Sequence, residues 1–380
     1  MKKKWLTILC FVSLVSCGKE SVITETTKET PSENVTESAK EYGIRLNPVE
    51  VTALHTDLQD RFLMVGANGM SSLGINGKQE NSRPQFISFS WEADLPESSP
   101  TYVLQISEQT DFVNSWEYET QETQYEVYNL KVGTEYYWKV SDLKRTYTSD
   151  VASFITEGDT PRNLFIDGIT NVRDIGGWFI DEHRRVRQGL AYRCGRLNES
   201  SSAALKVEIT EDGIRQMNDY LGIRSEIDLR LVNDNEVGHY TQSALGEDVN
   251  YYQCPMGYCG NILENNRSMV KQIFTLLSDE KNYPVIYHCN IGTDRTGLVT
   301  YLLNGLLGVS EDDLFMDYEF SNLGVIGGTR NRSGIMTNYV STLNSTSGTT
   351  LSQKIANYLL GIGINQIQID TIIDLFTEEI

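Results

Sequence analysis

Positive charge is what this chain has least of. Lys and Arg number 32 against 52 Asp and Glu, a formal net charge of −20 over 380 residues, and such a surface repels phosphate backbones and anionic lipid. Nucleic acid is therefore excluded as a partner. Long apolar runs are scarce too: past residue 17 none approaches the ~20 residues a membrane helix needs. The six cysteines show no zinc-site spacing, so no metal and no other cofactor is expected. Only Cys254 and Cys259 lie close enough in sequence to suggest a disulfide, against the commoner fate of a buried free thiol. With 39% hydrophobic and 22% charged residues, the chain can still build real cores, and its length fits two or three domains.

Residues 1–17 read as an export signal: Lys2, Lys3 and Lys4, an apolar stretch from Trp5 to Val15, then Ser16 and Cys17. The run Leu14-Val15-Ser16-Cys17 resembles the bacterial lipobox, which implies cleavage before Cys17, acylation of its sulfur and a membrane anchor outside the cytosol, periplasmic or at the cell surface. A plain secretory signal is the alternative. Residues 18–45 are rich in Ser, Thr, Glu and Lys and almost free of aromatics. They cannot bury enough apolar area to offset chain entropy, and are expected to form a flexible tether.

Between residues 46 and 157 the apolar positions alternate: Ile87, Phe89, Trp91, then Tyr102, Leu104, Ile106, then Tyr136, Trp138, Val140. That is the period of half-buried strands, and turn residues around Pro96–Pro100 and Gly133 give the cadence of an all-β sandwich. The stretch from Asn129 to Trp138 resembles the late-strand corner of fibronectin type III domains, which implies an immunoglobulin-like sandwich with Tyr136 as its corner tyrosine. Such a fold binds or spaces rather than catalyses, and no chemistry is assigned to it. Trp116, Tyr118 and Tyr125 are open to two readings, core or contact surface.

Residues 158–380 carry the chemistry. Val285, Ile286 and Tyr287 form a short apolar strand. His288, Cys289, Asn290, Ile291, Gly292, Thr293, Asp294, Arg295, Thr296 and Gly297 follow, and then an apolar helical run to Leu307. A loop entering a helix N-terminus offers unpaired N–H groups and the positive end of the helix dipole, an anion site in which residues 290–295 would bind phosphate. Cys289 at the mouth of that loop, with Arg295 close by, meets the conditions that lower a thiol pKa from ~8.5 toward ~3.5–7.5. Arg295 can fork two phosphate oxygens, and the Thr296 hydroxyl can stabilise the sulfur as nucleophile and leaving group. His288 reads as a loop support that lowers the Cys289 pKa.

These residues resemble the signature of the cysteine-dependent tyrosine phosphatases, His-Cys-x5-Arg-Ser/Thr, and more narrowly the bacterial tyrosine/serine phosphatases with His-Cys-x-x-Gly-x-Asp-Arg-Thr-Gly. Further blocks match in order: Asn171-Val172-Arg173-Asp174-Ile175-Gly176-Gly177, Tyr192-Arg193-Cys194-Gly195, Ile227-Asp228-Leu229-Arg230, and Asp317-Tyr318 with Ser321-Asn322. The resemblance implies an α/β domain with a mostly parallel sheet flanked by helices, acting through a phosphocysteine intermediate. No Lys stands in the loop, and with the acidic surface this favours a phosphorylated protein or peptide, or a small aryl phosphate, over phosphoinositide or inositol phosphate. A non-enzymatic binding protein is the remaining alternative.

The proton for the leaving group must come from a carboxylic acid, and the sequence leaves Asp228 and Asp294 open. Arg173 and Asp174 are expected to pair with each other near the site. Cys194, at the family's serine position, is a candidate for a protective disulfide with Cys289. The Gly- and Ser-rich stretch 324–350 reads as a mobile lid or an exposed loop.

Overall fold

The computed structural model describes residues 42–198, 208–232, 240–334 and 341–380. The expected signal, the acylated Cys17 and all but the end of the tether lie outside the described residues. Tyr42–Ile380 is one compact unit.

Seven strands fill its first part: β1 (Gly43–Leu46), β2 (Ile87–Asp94), β3 (Tyr102–Ser107), β4 (Trp116–Thr120), β5 (Gln124–Val127), β6 (Glu135–Asp142) and β7 (Ala152–Ile155). They form two antiparallel sheets, ordered β1-β2-β5 and β4-β3-β6-β7. The alternating residues seen in the sequence are the ones that face inward: Phe89, Trp91, Leu104, Ile106, Tyr136 and Trp138 share one core. The Tyr136 hydroxyl accepts the Lys131 N–H at 2.9 Å, tying the strand to its preceding loop. Trp116, Tyr118 and Tyr125 are half-buried against this core, and Trp116 also meets the ring of Tyr220 at 5.5 Å.

The stretch between β1 and β2 departs from the all-β expectation, holding a helix and the short helical turns Ala67–Gly69 and Met70–Leu73. Between β1 and β2 the chain forms the helix Asp57–Val65, opened by a capping box in which Thr56 and Gln59 satisfy each other's backbone N–H. Its Phe62, with Met70 and Ile75, packs on Phe320 and Leu323, outside the sandwich core.

The second part is a three-layer α/β unit. Its strands are β8 (Arg173–Asp174), β9 (Arg184–Val186), β10 (Ala191–Cys194), β11 (Ser225–Asp228), β12 (Asn250–Gln253), β13 (Val285–His288) and β14 (Thr377–Glu379). Five of them make one sheet, β12-β11-β13-β10-β8, parallel except for β8. Alternation sends Val285 and Tyr287 to one face, where helices Arg267–Leu277, Asp294–Leu307, Leu351–Gly361 and Gln366–Phe376 cover them. Ile286 and Cys194 go to the other face, among Leu164, Met217 and Leu221.

The two parts are stitched at the loop 129–133. Arg162, fully buried in its pairing with Asp174 (2.7 Å), also donates to the carbonyls of Asn129 and Leu130. Gln188 exchanges both its amide groups with the backbone of Val132, and Asn129 does the same with Phe165.

Candidate active site

The sheet register brings Asp228, His288 and Cys194 side by side at the carboxyl edge of β11, β13 and β10. The chain leaves the sheet at Cys289, at the edge where parallel α/β sheets receive ligands, and re-enters order in the helix Asp294–Leu307.

The four residues between are shaped from outside. The Asn290 carbonyl accepts from Arg196, N–H at 3.3 Å and guanidinium at 3.2 Å. Ile291 O accepts from Asn171 Nδ2 at 2.9 Å, and Gly292 O from Arg193 Nη2 at 2.7 Å. In a planar trans peptide the next N–H points opposite to the carbonyl. Three consecutive carbonyls drawn outward therefore turn the N–H groups of Ile291, Gly292 and Thr293 inward, a nest that a helix N-terminus extends. Gly292 has φ +68°, and a Cβ there would lie 2.3 Å from the Cys194 carbonyl, so only glycine lets the loop sit this close to β10.

The brackets are themselves anchored. Asp317, buried, binds Arg173 Nε at 3.0 Å and also the Arg193 guanidinium. Burial pushes the Asp317 carboxyl up, but the two guanidinium groups outweigh it and hold it below the usual carboxylate range. Burial and the neighbouring Arg193 bring Arg173 down to about 10 despite Asp317. Two buried cations thus share one buried anion directly behind the loop. The expected pairing of Arg173 with Asp174 is not made. Asp174 binds Arg162 and the N–H groups of Gly176 and Gly189, while Arg173 reaches Asp317 and Asn171 on the other side. Neighbouring strand residues face opposite ways, so they cannot share a partner.

Cys289 is 1% exposed. Burial opposes its ionisation, yet the Arg295 charge, the Thr296 hydroxyl and the Thr296 N–H together bring the thiol below its ordinary range. The Thr296 hydroxyl is buried and has no oxygen or nitrogen partner, which leaves it for the sulfur. Arg295 is held by the carbonyls of Leu229 (3.4 Å) and Met256 (3.3 Å), with its guanidinium 5.0 Å from the ring centre of the half-exposed Tyr258.

The two candidate acids differ in burial and in partners. Asp228 is fully buried, and both its oxygens are taken: by Arg230 Nε and Nη2 (2.7–3.1 Å), Arg230 N–H (3.0 Å) and the Tyr251 hydroxyl (3.0 Å). Burial raises its pKa, but His288 and Arg230 reverse this and hold it ionised. Asp228 is thus engaged on both oxygens inside the core, with Arg230 as its main partner. Asp294 stands in the first turn of the helix, its side chain 14% exposed. It accepts from Tyr318 (3.1 Å) and Arg330 (3.2 Å), and its charge acts on Cys289.

His288 turns its Nε2 to Glu226 (2.9 Å), with Nδ1 3.9 Å from Asp228. Glu226, Asp228 and His288 bring ligand-type atoms within 4.8 Å of one another. The carboxylates of this trio are engaged by protein donors, Glu226 accepting also from Ser243 at 2.5 Å and from Ala244 N, and Asp228 from Arg230 and Tyr251, while the buried His288 Nδ1 has no hydrogen-bond partner. Cys194 and Cys289, the pair considered for a protective disulfide, are both free thiols here and belong to core clusters on opposite faces of the sheet. Cys254 is buried and Cys259 exposed, both unpaired. The first part of the presumed lid is tied down, with Asn322 bonded to both backbone groups of Arg330 and Val325 N–H bonded to Thr170; residues 335–340 lie outside the described ones.

Asn171, Arg193, Arg196, Glu226, Asp317, Tyr258 and Arg330 received no role from sequence. Asn171, Arg193 and Asp317 fall in the matching blocks, which marked them without saying what they hold. Tyr258 and Arg330 carry no local signal.

Comparison with known proteins bears on this geometry. The model of a family described as "Tyrosine phosphatase family" matches residues 164–362. A tyrosine-protein phosphatase of Cupriavidus necator is 27% identical over 191 residues, 42% of this chain and 63% of that one. One of Nostoc commune is 25% identical over 120 residues, 27% of this chain and 41% of that one. The chain thus spans less than two thirds of either relative. Among solved structures, the core catalytic domain of a PP-IP phosphatase from S. cerevisiae is 18% identical with TM-score 0.29, covering 43% of this chain and 93% of that one. A fibronectin type-III domain of the human fibronectin type III domain containing protein 3 is 24% identical with TM-score 0.18, covering 20% and 75%.

Proposed function

The chain belongs to the tyrosine phosphatase family, and from that premise we propose that it hydrolyses phosphomonoesters, foremost phosphotyrosine on protein or peptide, through a phosphocysteine intermediate. The observation that carries the reading is the loop whose three carbonyls are pulled outward around a thiol of lowered pKa. The Cys289 thiolate attacks phosphorus while the bond to the leaving oxygen breaks, and Asp294 gives that oxygen its proton. Inward N–H groups and Arg295 bind the equatorial oxygens most strongly when the phosphoryl group is loosest. Water, deprotonated by the Asp294 carboxylate, then attacks phosphorus, the P–S bond breaks and phosphate leaves.

Tyr258 beside Arg295 supports an aryl ester, since it lines the approach with a ring rather than a cation. The lysine-free loop supports the same choice over phosphoinositide. The relative kcat/KM on a phosphotyrosine peptide and on a phosphoinositide tests it: a large preference for the lipid overturns the substrate, and equal aryl phosphate hydrolysis by wild type and Cys289→Ser overturns the mechanism.

Our proposal extends to the setting. The chain is exported and anchored through acylated Cys17, with residues 46–157 a fibronectin type III-like sandwich and 158–380 the catalytic domain. Two antiparallel sheets and the Tyr136 corner bond support the sandwich assignment. Metabolic labelling with a radioactive fatty acid, retained in wild type and lost in Cys17→Ala, tests the anchor.

A further inference from the structure

The segment 57–82 sits in the chain between two sandwich strands, yet its contacts run to the back of the phosphate loop. Ser82 is buried. Its hydroxyl accepts the Asn171 N–H at 3.3 Å and donates to Glu80 at 2.6 Å, and its carbonyl accepts from Asn163 at 2.8 Å. Asn171, fully buried, has φ +60°, a left-handed conformation that a non-glycine residue keeps only when its surroundings enforce it. The Asn171 side chain then donates to Ile291 O at 2.9 Å and to the Thr293 hydroxyl at 3.4 Å. Two hydrogen bonds therefore separate Ser82 from the anion site.

Ser82 is in turn fixed by its own segment. Gln59, fully buried, donates to the carbonyls of Asn81 (2.8 Å) and Arg83 (2.7 Å), clamping the peptide on either side. Asn81 N–H reaches Leu323 O at 2.7 Å. Gly77 O accepts the N–H groups of Ile326 (2.9 Å) and Gly327 (2.8 Å), in the stretch that leads to Arg330 and so to Asp294. A Cβ on Gly77 would meet Gly328 O at 2.6 Å. Phe62 packs edge-on against Phe320 at 6.0 Å, and the Arg173 guanidinium lies 5.7 Å from the same Phe320 ring.

We propose that segment 57–82 is a positioning element of the catalytic site, with Ser82 setting the backbone of Asn171 and Gly77 setting the stretch that carries Arg330 to Asp294. The first part of the chain thereby takes part in the chemistry without touching substrate. The inference rests on the phosphatase reading above, because its effect is expressed in turnover.

Two variants test it, Ser82→Ala and Gln59→Leu, with Glu97→Ala, exposed on a turn between β2 and β3 and outside the segment, as control. The substrate is a small aryl phosphate, which is too small to dock on the sandwich. We expect kcat to fall roughly tenfold in each test variant, within the range that an ångström-scale misplacement produces, with KM changed less. The midpoint pH of Cys289 alkylation, read by mass spectrometry on folded protein, rises by about half a unit as the loop N–H groups lose alignment, and vanadate binds more weakly by a similar factor. The control keeps wild-type values. Lower melting temperature with unchanged kcat, alkylation midpoint and vanadate affinity makes the segment a mere support and overturns the proposal. Wild-type protein that does not turn over aryl phosphate defeats the phosphatase reading instead, and the alkylation midpoint then still decides whether Ser82 positions the loop.

Discussion

Asp317→Asn keeps the shape of the side chain and removes its charge, leaving Arg173 and Arg193, both fully buried, without the anion they share. Breaking a buried pair on one side costs about 3–5 kcal/mol, because the stranded charge is still out of water. Here two cations are stranded together, and Arg173 is already depressed by Arg193, so the upper half of that range is expected. For a unit of this size it corresponds to a fall in Tm of roughly 6 °C at pH 7. The pH dependence fixes the cause. Asp317 has a folded pKa below its unfolded one, so its contribution is complete above the unfolded carboxylate value of ~3.9 and is lost as pH falls through the lower folded value. Thermal unfolding of wild type and variant, followed from pH 7 down to pH 3, should therefore show a constant gap that closes only in acid. Arg193 also holds Gly292 O, so aryl phosphate turnover should drop by about 10- to 100-fold in the same variant. A variant that melts within about 1 °C of wild type at pH 7, which is what ~0.5 kcal/mol produces, refutes the claim that the anion is needed, and a gap that persists undiminished at pH 3 refutes the linkage.

Other outcomes follow from the same geometry. Asp294→Asn should lower kcat by ~10²- to 10⁴-fold for a poor leaving group and far less for nitrophenolate, whereas Asp228→Asn should act on melting temperature and leave the leaving-group dependence unchanged; kinetics across a series of aryl phosphates distinguishes them. Iodoacetamide at pH 7 should modify Cys289 and spare Cys254, whose buried thiol is pushed up to about 12, and Cys194, raised well above its ordinary value; peptide mapping reads this directly. Gly292→Ala places a methyl group against the Cys194 carbonyl, and vanadate affinity by calorimetry should fall at least tenfold, roughly the ~1.4 kcal/mol that a tenfold change represents.

What could be read in advance divides along a physical line. The strand, loop and helix around Cys289 carry local signals, an apolar run, a glycine and a helix start, so their order was legible. The alternation in β2, β3 and β6 likewise announced their inward faces. Partner choice among buried charges was not legible, because it is decided by which strand face meets which helix. Arg173 has Asp174 as its neighbour in sequence and finds Asp317 across the site, and Asp228 finds Arg230 two residues on. The brackets on the phosphate loop come from residues about 94 to 120 positions away, and no spacing rule reaches that far. The helix Asp57–Val65 is a different case, since its capping box, Thr56 with Gln59, is a local signal set within a region of strand periodicity.

The loop shared by both parts is pinned by Arg162, Gln188 and Asn129. Among the described residues, turning one part against the other would break this set of buried bonds at once, so the two are expected to lose order together on heating rather than in separate steps.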